Sequence, residues 1–215
     1  GNGTVIGAPA ANPSADITLK APSTTGSAGQ YLKVATANHS STNAELEWGT
    51  ITVPAANPAY SHHDLWRLTT DFEDDTDPVQ NFERPDVSPT NPGAIGTGMT
   101  YSSGIWTFPA TGIWQVQAQF LISYSGTTRW ALIELKVSTD SGSNWQGQAE
   151  AYTFMNSGGG SPYSNTGVAN MLVDVTDAST FRVKIAADTE DDNTTWQGST
   201  SRNYSWIAFT KIAET

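Results

Sequence analysis

The sequence predicts an all-β protein, a sandwich or jelly roll of about eight to ten short antiparallel strands preceded by an extended arm. Charged residues make up only 14% of the 215 residues, against about 25% in an ordinary soluble domain. Thr, Ser, Gly, Trp and Tyr take their place. That mixture suits pleated surfaces and tight turns, and not helical bundles rich in Ala, Leu, Glu and Lys. Beyond residue 99, apolar and polar residues alternate in short runs separated by Gly, Pro, Ser, Asn and Asp, the period-2 pattern of half-buried strands.

Residues 1–60 read as an anchoring and assembly arm, and 61–215 as a head domain. The arm is rich in Ala, Pro, Asn, Ser and Thr, with short apolar patches at 17–19, 31–34 and 46–53. Ser27-Ala28-Gly29-Gln30 reads as a turn into a short strand, Tyr31-Leu32-Lys33-Val34. Leu46, Trp48 and Thr50 share one face of another. At about 25 cal/mol per Å² of buried apolar surface, so few side chains cannot offset the entropy of ordering the segment. The arm is therefore expected to be disordered or to fold against other chains. Residues 54–63, with Pro54 and Pro58, read as a linker.

In the head, Leu65-Trp66-Arg67-Leu68 opens the first strand. Residues 71–98 hold four prolines and no periodicity, and read as a long surface loop. Tyr101, a Ser-Ser-Gly turn and Ile105-Trp106-Thr107-Phe108 make a hairpin. In 113–124, Trp114, Val116, Ala118, Phe120, Ile122 and Tyr124 face inward and the glutamines outward. The next run, 130–138, repeats the pattern with Ala131, Ile133, Leu135 and Val137 inward. Asp140-Ser141-Gly142-Ser143-Asn144 turns the chain into a strand over 145–154, and 157–161 is a Gly-rich loop tip. Strands at 167–175 and 180–187 are expected to pair across Asp177-Ala178-Ser179, with a polar loop at 190–193. The last strand, 204–212, is apolar on both faces, and is expected to sit centrally and be buried twice.

Several function classes are excluded. The net charge of −11, with ten scattered cations, offers nothing to neutralise nucleic-acid phosphates or an anionic membrane surface. There is no cysteine, hence no disulfide framework, Cys-ligated zinc or Cys nucleophile. No apolar run approaches the roughly 20 residues of a membrane helix. Gly1-Asn2-Gly3-Thr4 lacks the basic region and apolar core of a signal peptide. A cytosolic product trimmed of its initiator Met, or a piece of a longer fibre, is expected.

Gly104-Ile105-Trp106-Thr107-Phe108-Pro109-Ala110-Thr111-Gly112-Ile113-Trp114-Gln115-Val116 resembles the aromatic-strand, Pro-x-x-Gly, aromatic-strand signature of C1q/TNF-like globular heads. The strands around 168–175 and 181–185, and the terminal Tyr204-Ser205-Trp206-Ile207-Ala208-Phe209, are similar to later strands of that family. The resemblance covers about 64–212 and implies a ten-stranded jelly roll assembled as a three-fold homotrimer. The 71–98 insert departs from it. In the arm, Ile17-Thr18-Leu19-Lys20-Ala21-Pro22-Ser23, Gly26-Ser27-Ala28-Gly29-Gln30-Tyr31-Leu32 and Leu46-Glu47-Trp48-Gly49-Thr50 resemble a module of marine and cyanobacterial phage tail fibres. Together the two resemblances imply a phage virion protein made in the host cytoplasm: a fibre, appendage or capsid decoration. It would contact other virion proteins through the arm and display the head on the particle surface, to a host glycan or protein. The alternatives are a carbohydrate-binding module or a subunit of an extracellular filament.

Candidate sites are few. Asp71, Glu73 and Asp75, in a run that also holds Asp74 and Asp77, place oxygens at alternate positions, which suits Ca²⁺, the one cofactor the sequence offers. The run lacks the Gly and terminal Glu of an EF-hand loop, and a solvated acidic loop is the simpler reading of it, as it is of Glu190-Asp191-Asp192. Adjacent His62 and His63 point to opposite faces of a strand and, with only His39 elsewhere, do not make a zinc site. No Gly-x-Ser-x-Gly elbow or phosphate-cradling loop is present. Glu134 and Glu150 lie on strands, where a glycosidase would need two carboxylates, but outward polar residues are the simpler reading. No enzyme is expected. Most tryptophans of a jelly roll are core or interface residues. Trp145 and Trp196, beside loops, are the expected exposed sugar contacts.

Overall fold

The computed structural model describes residues 18–39, 43–50, 60–88, 93–124, 128–154, 163–190 and 194–215. Its contacts divide the chain into two compact units, Gly1–Ala56 and Asn57–Thr215. Every described secondary-structure element is a strand.

The first unit is a three-stranded sheet of β1 (Thr18–Lys20), β2 (Gln30–His39) and β3 (Asn43–Thr50), in the order β1-β3-β2. β1 runs parallel to β3, and β2 antiparallel. Ser27 N–H donates to the Gln30 side chain at 2.7 Å and closes the expected turn. The Trp48 indole donates to the Thr24 carbonyl at 2.8 Å. Tyr31, Leu32 and Val34 remain 45–52% exposed. The described residues of the hydrophobic core begin at Trp66, in the second unit.

The second unit holds β4 (His63–Leu68), β5 (Phe72–Glu73), β6 (Phe82–Glu83), β7 (Thr100–Ser102), β8 (Ile105–Thr107), β9 (Gly112–Tyr124), β10 (Trp130–Ser138), β11 (Gln146–Phe154), β12 (Tyr163–Val175), β13 (Arg182–Thr189), β14 (Thr194–Trp196) and β15 (Trp206–Ala213). They form two sheets. One has five strands, ordered β11-β10-β13-β8-β7. The other has seven: β5-β14-β9-β15-β4-β6, with β12 along the second edge of β9. The chain passes repeatedly from one sheet to the other, as in a jelly roll. The inward residues expected on β9 and β10 are all buried, because strict alternation leaves only one face apolar enough to pack. Four aromatic rings, Trp66, Phe82, Tyr101 and Phe209, lie 4.9–6.5 Å from Trp106, and Phe108 meets Phe209 at 5.9 Å.

Three expectations are corrected. β12 and β13 do not pair with each other: β12 pairs β9, while β13 pairs β10 and β8. The Asp177 turn, closed by the Phe181 and Thr180 N–H groups on the Asp177 carbonyl, carries the chain between layers, so Val173 and Val183 reach the core from opposite sides. Periodicity reveals that a strand is half-buried, not which sheet it joins. Second, 71–98 is not a surface loop throughout. Val79 and Phe82 are buried. Backbone bonds tie Thr76 to Ala187 and Val79 to Ile185. Buried Asp64 accepts both Arg84 Nε and Nη2 at 2.8 Å and Met99 N–H at 2.7 Å. Each anchor is a single residue, so no period betrays it. Third, β15 lies centrally between β9 and β4, but only Ile207, Phe209 and Lys211 on its inner side are buried; Trp206, Ala208 and Thr210 are half-buried. The loop tip at 157–161 and residues 191–193 lie outside the described residues.

Candidate functional site

The two sheets present opposite solvent faces. On the seven-stranded sheet, the residues between the buried positions of β9 and β15 are Gln115, Gln117, Trp206, Ala208 and Thr210. With His63, Leu65 and Asn203 they surround a shallow cavity of about 270 Å³. His63 Nδ1 and Thr210 Oγ1 share a hydrogen bond of 2.8 Å, and Gln115 donates to Asn170 at 3.3 Å. On neighbouring β12, Val168 and Leu172 stand 47% and 63% exposed. The described lining of the cavity carries no carboxylate and no Lys or Arg.

On the five-stranded sheet the pairing register lays out rows across β11, β10 and β13. Phe154 stands opposite Trp130, Tyr152 opposite Leu132 and then Asp188, Glu150 opposite Glu134 and then Ala186. A further row joins Lys136 to Lys184. A groove of about 360 Å³ runs over Leu132 and Ala186, walled by Asp75, Asp77, Glu134, Lys136 and Asp188.

The charges here are fixed by partners. Asp77 binds Lys184 at 2.6 Å and Lys136 at 3.0 Å. Partial burial raises its carboxyl, but these two ammonium groups outweigh that and hold it below the usual carboxylate range. Lys136 also meets Glu134 at 3.2 Å. A Cβ at Gly147 would collide with the Glu134 carboxylate, so the glycine, beside the irregular pairing of β10 and β11, leaves room for it. Asp188 moves the other way. Withdrawal from water, then the negative charge and shared hydrogen bond of Asp75, and then Glu134, raise its carboxyl.

The sequence-predicted residues fall differently. Trp145 is half-exposed at the Lys-bearing end of this face, with Lys184 Nζ 4.6 Å from its ring centroid. Trp196 is a correction: it is fully buried, stacked within 7° on Phe72 and edge-on to Phe120. Its position beside a loop concealed a place on β14, whose inward side joins the core, and a buried ring cannot stack on a sugar. The calcium trio is also dispersed. Asp71 accepts Gly198 N–H at 2.7 Å, Asp75 accepts Thr189 N–H at 2.9 Å, and Glu73 lies 3.5 Å from the Thr195 hydroxyl. No group of three metal-ligating side chains converges among the described residues. These carboxylates tie the 71–77 segment to the sheets. Glu134 and Glu150, read as outward polar residues, are cross-strand neighbours.

Trp130, Tyr152 and Phe154 were not singled out by the sequence. The signal was present: in 148–154 the inward residues are Ala149, Ala151 and Thr153, while the aromatic rings share the outward side with Gln148 and Glu150. Large rings on a strand's polar side serve no core.

No protein-family model matches the chain, and no curated protein is significantly similar in sequence. Solved structures are similar in fold. The Eiger TNF structure from S. frugiperda aligns at 13% identity and TM-score 0.53, covering 71% of this chain and 93% of that one. Murine APRIL at pH 5.0 aligns at 13% identity and TM-score 0.48, covering 70% and 99%. The head is a TNF-like all-β jelly roll.

Proposed function

We propose that this protein is a non-enzymatic, homotrimeric phage virion structural protein, in which the N-terminal unit anchors the chain and the head is displayed for host attachment or particle stabilisation. The observation that carries the assembly is the outer side of β15. A central strand presents Trp206 and Ala208 between Leu65, Gln115 and Gln117, with Val168 and Leu172 exposed nearby. Residues free of charge and mixed with apolar side chains suit the core of a subunit interface, where charges are depleted. A TNF-like fold with this sheet face open supports a three-fold arrangement through it. The first unit supports the same conclusion, since a three-stranded sheet with Tyr31, Leu32 and Val34 exposed is marginal unless another surface covers it. The order of motifs in 17–50, similar to phage fibre modules, favours a virion over other assemblies.

Light scattering on the full chain, and on Asn57–Thr215, which contains the whole core, tests the assembly. The full chain is expected at three times its 22.9 kDa, and the shorter chain is expected to remain trimeric. A monomer in both forms overturns the trimer. Peptide mass spectrometry of purified phage particles tests virion membership separately.

A further inference from the structure

The outward face of the five-stranded sheet is used neither by the core nor by the assembly just proposed, yet it carries Phe154, the most exposed ring among the described residues of the head. Phe154 is 74% and Tyr152 51% exposed. Tyr152 and Phe154 lie within 18° of parallel at a centroid spacing of 6.3 Å, and Trp130 closes the row 5.8 Å from Tyr152. Two adjacent rings left in water, with a third half-buried beside them at the end of two strands, are a cost that a solvated face does not need. Next to them, across Leu132, lies the groove with Asp75 and Asp188 on one side and Glu134 on the other.

We infer that this face is a glycan-binding site: Trp130, Tyr152 and Phe154 stack on the apolar faces of sugar rings, and the groove carboxylates accept hydrogen bonds from their hydroxyls. The chemistry of the face selects this occupant. A protein partner would want an interface core depleted of charge, whereas here carboxylates occupy the two rows beside the rings. An added β-strand along β11 is disfavoured, because β12 already lies against that edge: Asn165 donates to the Phe154 carbonyl at 3.0 Å, and Gly167 packs on Thr153. A chain of sugars alternates apolar ring faces with donor-rich edges, which matches rings beside acceptor-only carboxylates. The same carboxylates repel anionic glycans, so the ligand is uncharged. The acceptors are held in place before binding, Glu134 by Lys136 and Asp75 by the Thr189 N–H, which lowers the ordering cost of association. From Trp130 to Lys136 the face runs about 20 Å along β10, long enough for several sugar units, and Trp145 stands at its far end.

This inference deepens the attachment part of the proposed function, but it rests on a different face of the head, so the two fail separately. The test is calorimetry and saturation-transfer NMR on the full chain, with the neutral hexasaccharides of cellulose, chitin, laminarin and amylose as probes and hexagalacturonate as the anionic counterpart. At least one neutral hexasaccharide is expected to bind at millimolar concentration or below, and hexagalacturonate is expected not to. The double variant Y152A/F154A should weaken binding on the order of tenfold or more while keeping the parent's native mass and melting temperature, since both side chains are solvent-exposed. E150Q, at the edge of the row, should weaken it less. Failure of all four neutral probes overturns the inference, as does binding that survives Y152A/F154A or that prefers hexagalacturonate.

Discussion

The two sheets of the head are built by the same rule and finished differently. Each buries alternate residues on one shared core, yet around β15 and β9 the outer residues are Gln, Ala, Thr, Leu and Trp, while around β10 and β13 they are Glu, Lys, Asp and Ala. Free of charge, the first face can be desolvated against another copy at little electrostatic cost. The second cannot, because taking its ions out of water carries a desolvation penalty. Its carboxylates and lysines already satisfy one another, which suits a face that stays wet and meets small polar ligands. Alternation alone therefore does not say what an outward face is for; its charge does.

Placing a charge on the first face should break the comparison most. Ala208→Asp places an ion on the central strand of the uncharged face, repeated in every copy of a trimer. Light scattering should report monomers at concentrations where the parent is trimeric, a loss of at least two orders of magnitude in association. Melting of the isolated head should change little, since Ala208 is half-exposed within one chain. A trimer that tolerates this substitution would place the interface elsewhere.

A smaller effect is expected on the charged face. Asp77→Asn removes the shared anchor of Lys136 and Lys184 and should cost about 0.5–1 kcal/mol at neutral pH, the modest value of a partly exposed ion network. The sign with pH follows from a lowered carboxyl: its contribution is present above the unfolded value of 3.8, and is lost as pH falls through the folded value. Denaturant unfolding of parent and variant should therefore converge in acid and separate as pH rises. The Asp140 carboxyl, brought down to about 2 by the Ser138 hydroxyl and then the Asn144 N–H, follows the same sign, so the β10–β11 turn should hold to lower pH than an ordinary aspartate turn.

Asp188→Asn should give the smallest change and the opposite sign. A carboxyl raised above its unfolded value favours the folded state at low pH, and loses that contribution as pH climbs through the folded value. Removing the charge beside Asp75 should raise the melting temperature at pH 7 by about 1 °C, with no gain below pH 4. A drop at pH 7 would show that Asp188 acts instead as a needed partner.

Much of the head was legible in the residues. The inward sets of β9 and β10, the β7–β8 hairpin and the turn at 140–144 follow from alternation and turn chemistry, which are local. Trp145 flanks the 140–144 turn, which leaves it half-exposed beside Lys184 on the outer side of the five-stranded sheet. Trp196 was misplaced because a residue next to a polar loop can still begin an inward strand position. The pair Tyr152 and Phe154 was visible as rings on a polar side, but its meaning depended on which strands stood beside it.

What the sequence determined by itself was the all-β class and the core faces, since each depends on composition or on a residue's neighbours along the chain. Only the tertiary structure decided that Thr76 and Val79 are tied to β13, and Glu83 and Arg84 to β4, that β12 and β13 lie in different sheets, and that Asp75, Glu134 and Asp188 share one groove beside an aromatic row. Those are contacts between residues from about 16 to more than 100 positions apart in the chain. Their energies depend on three-dimensional proximity and burial, for which one-dimensional periodicity carries no record.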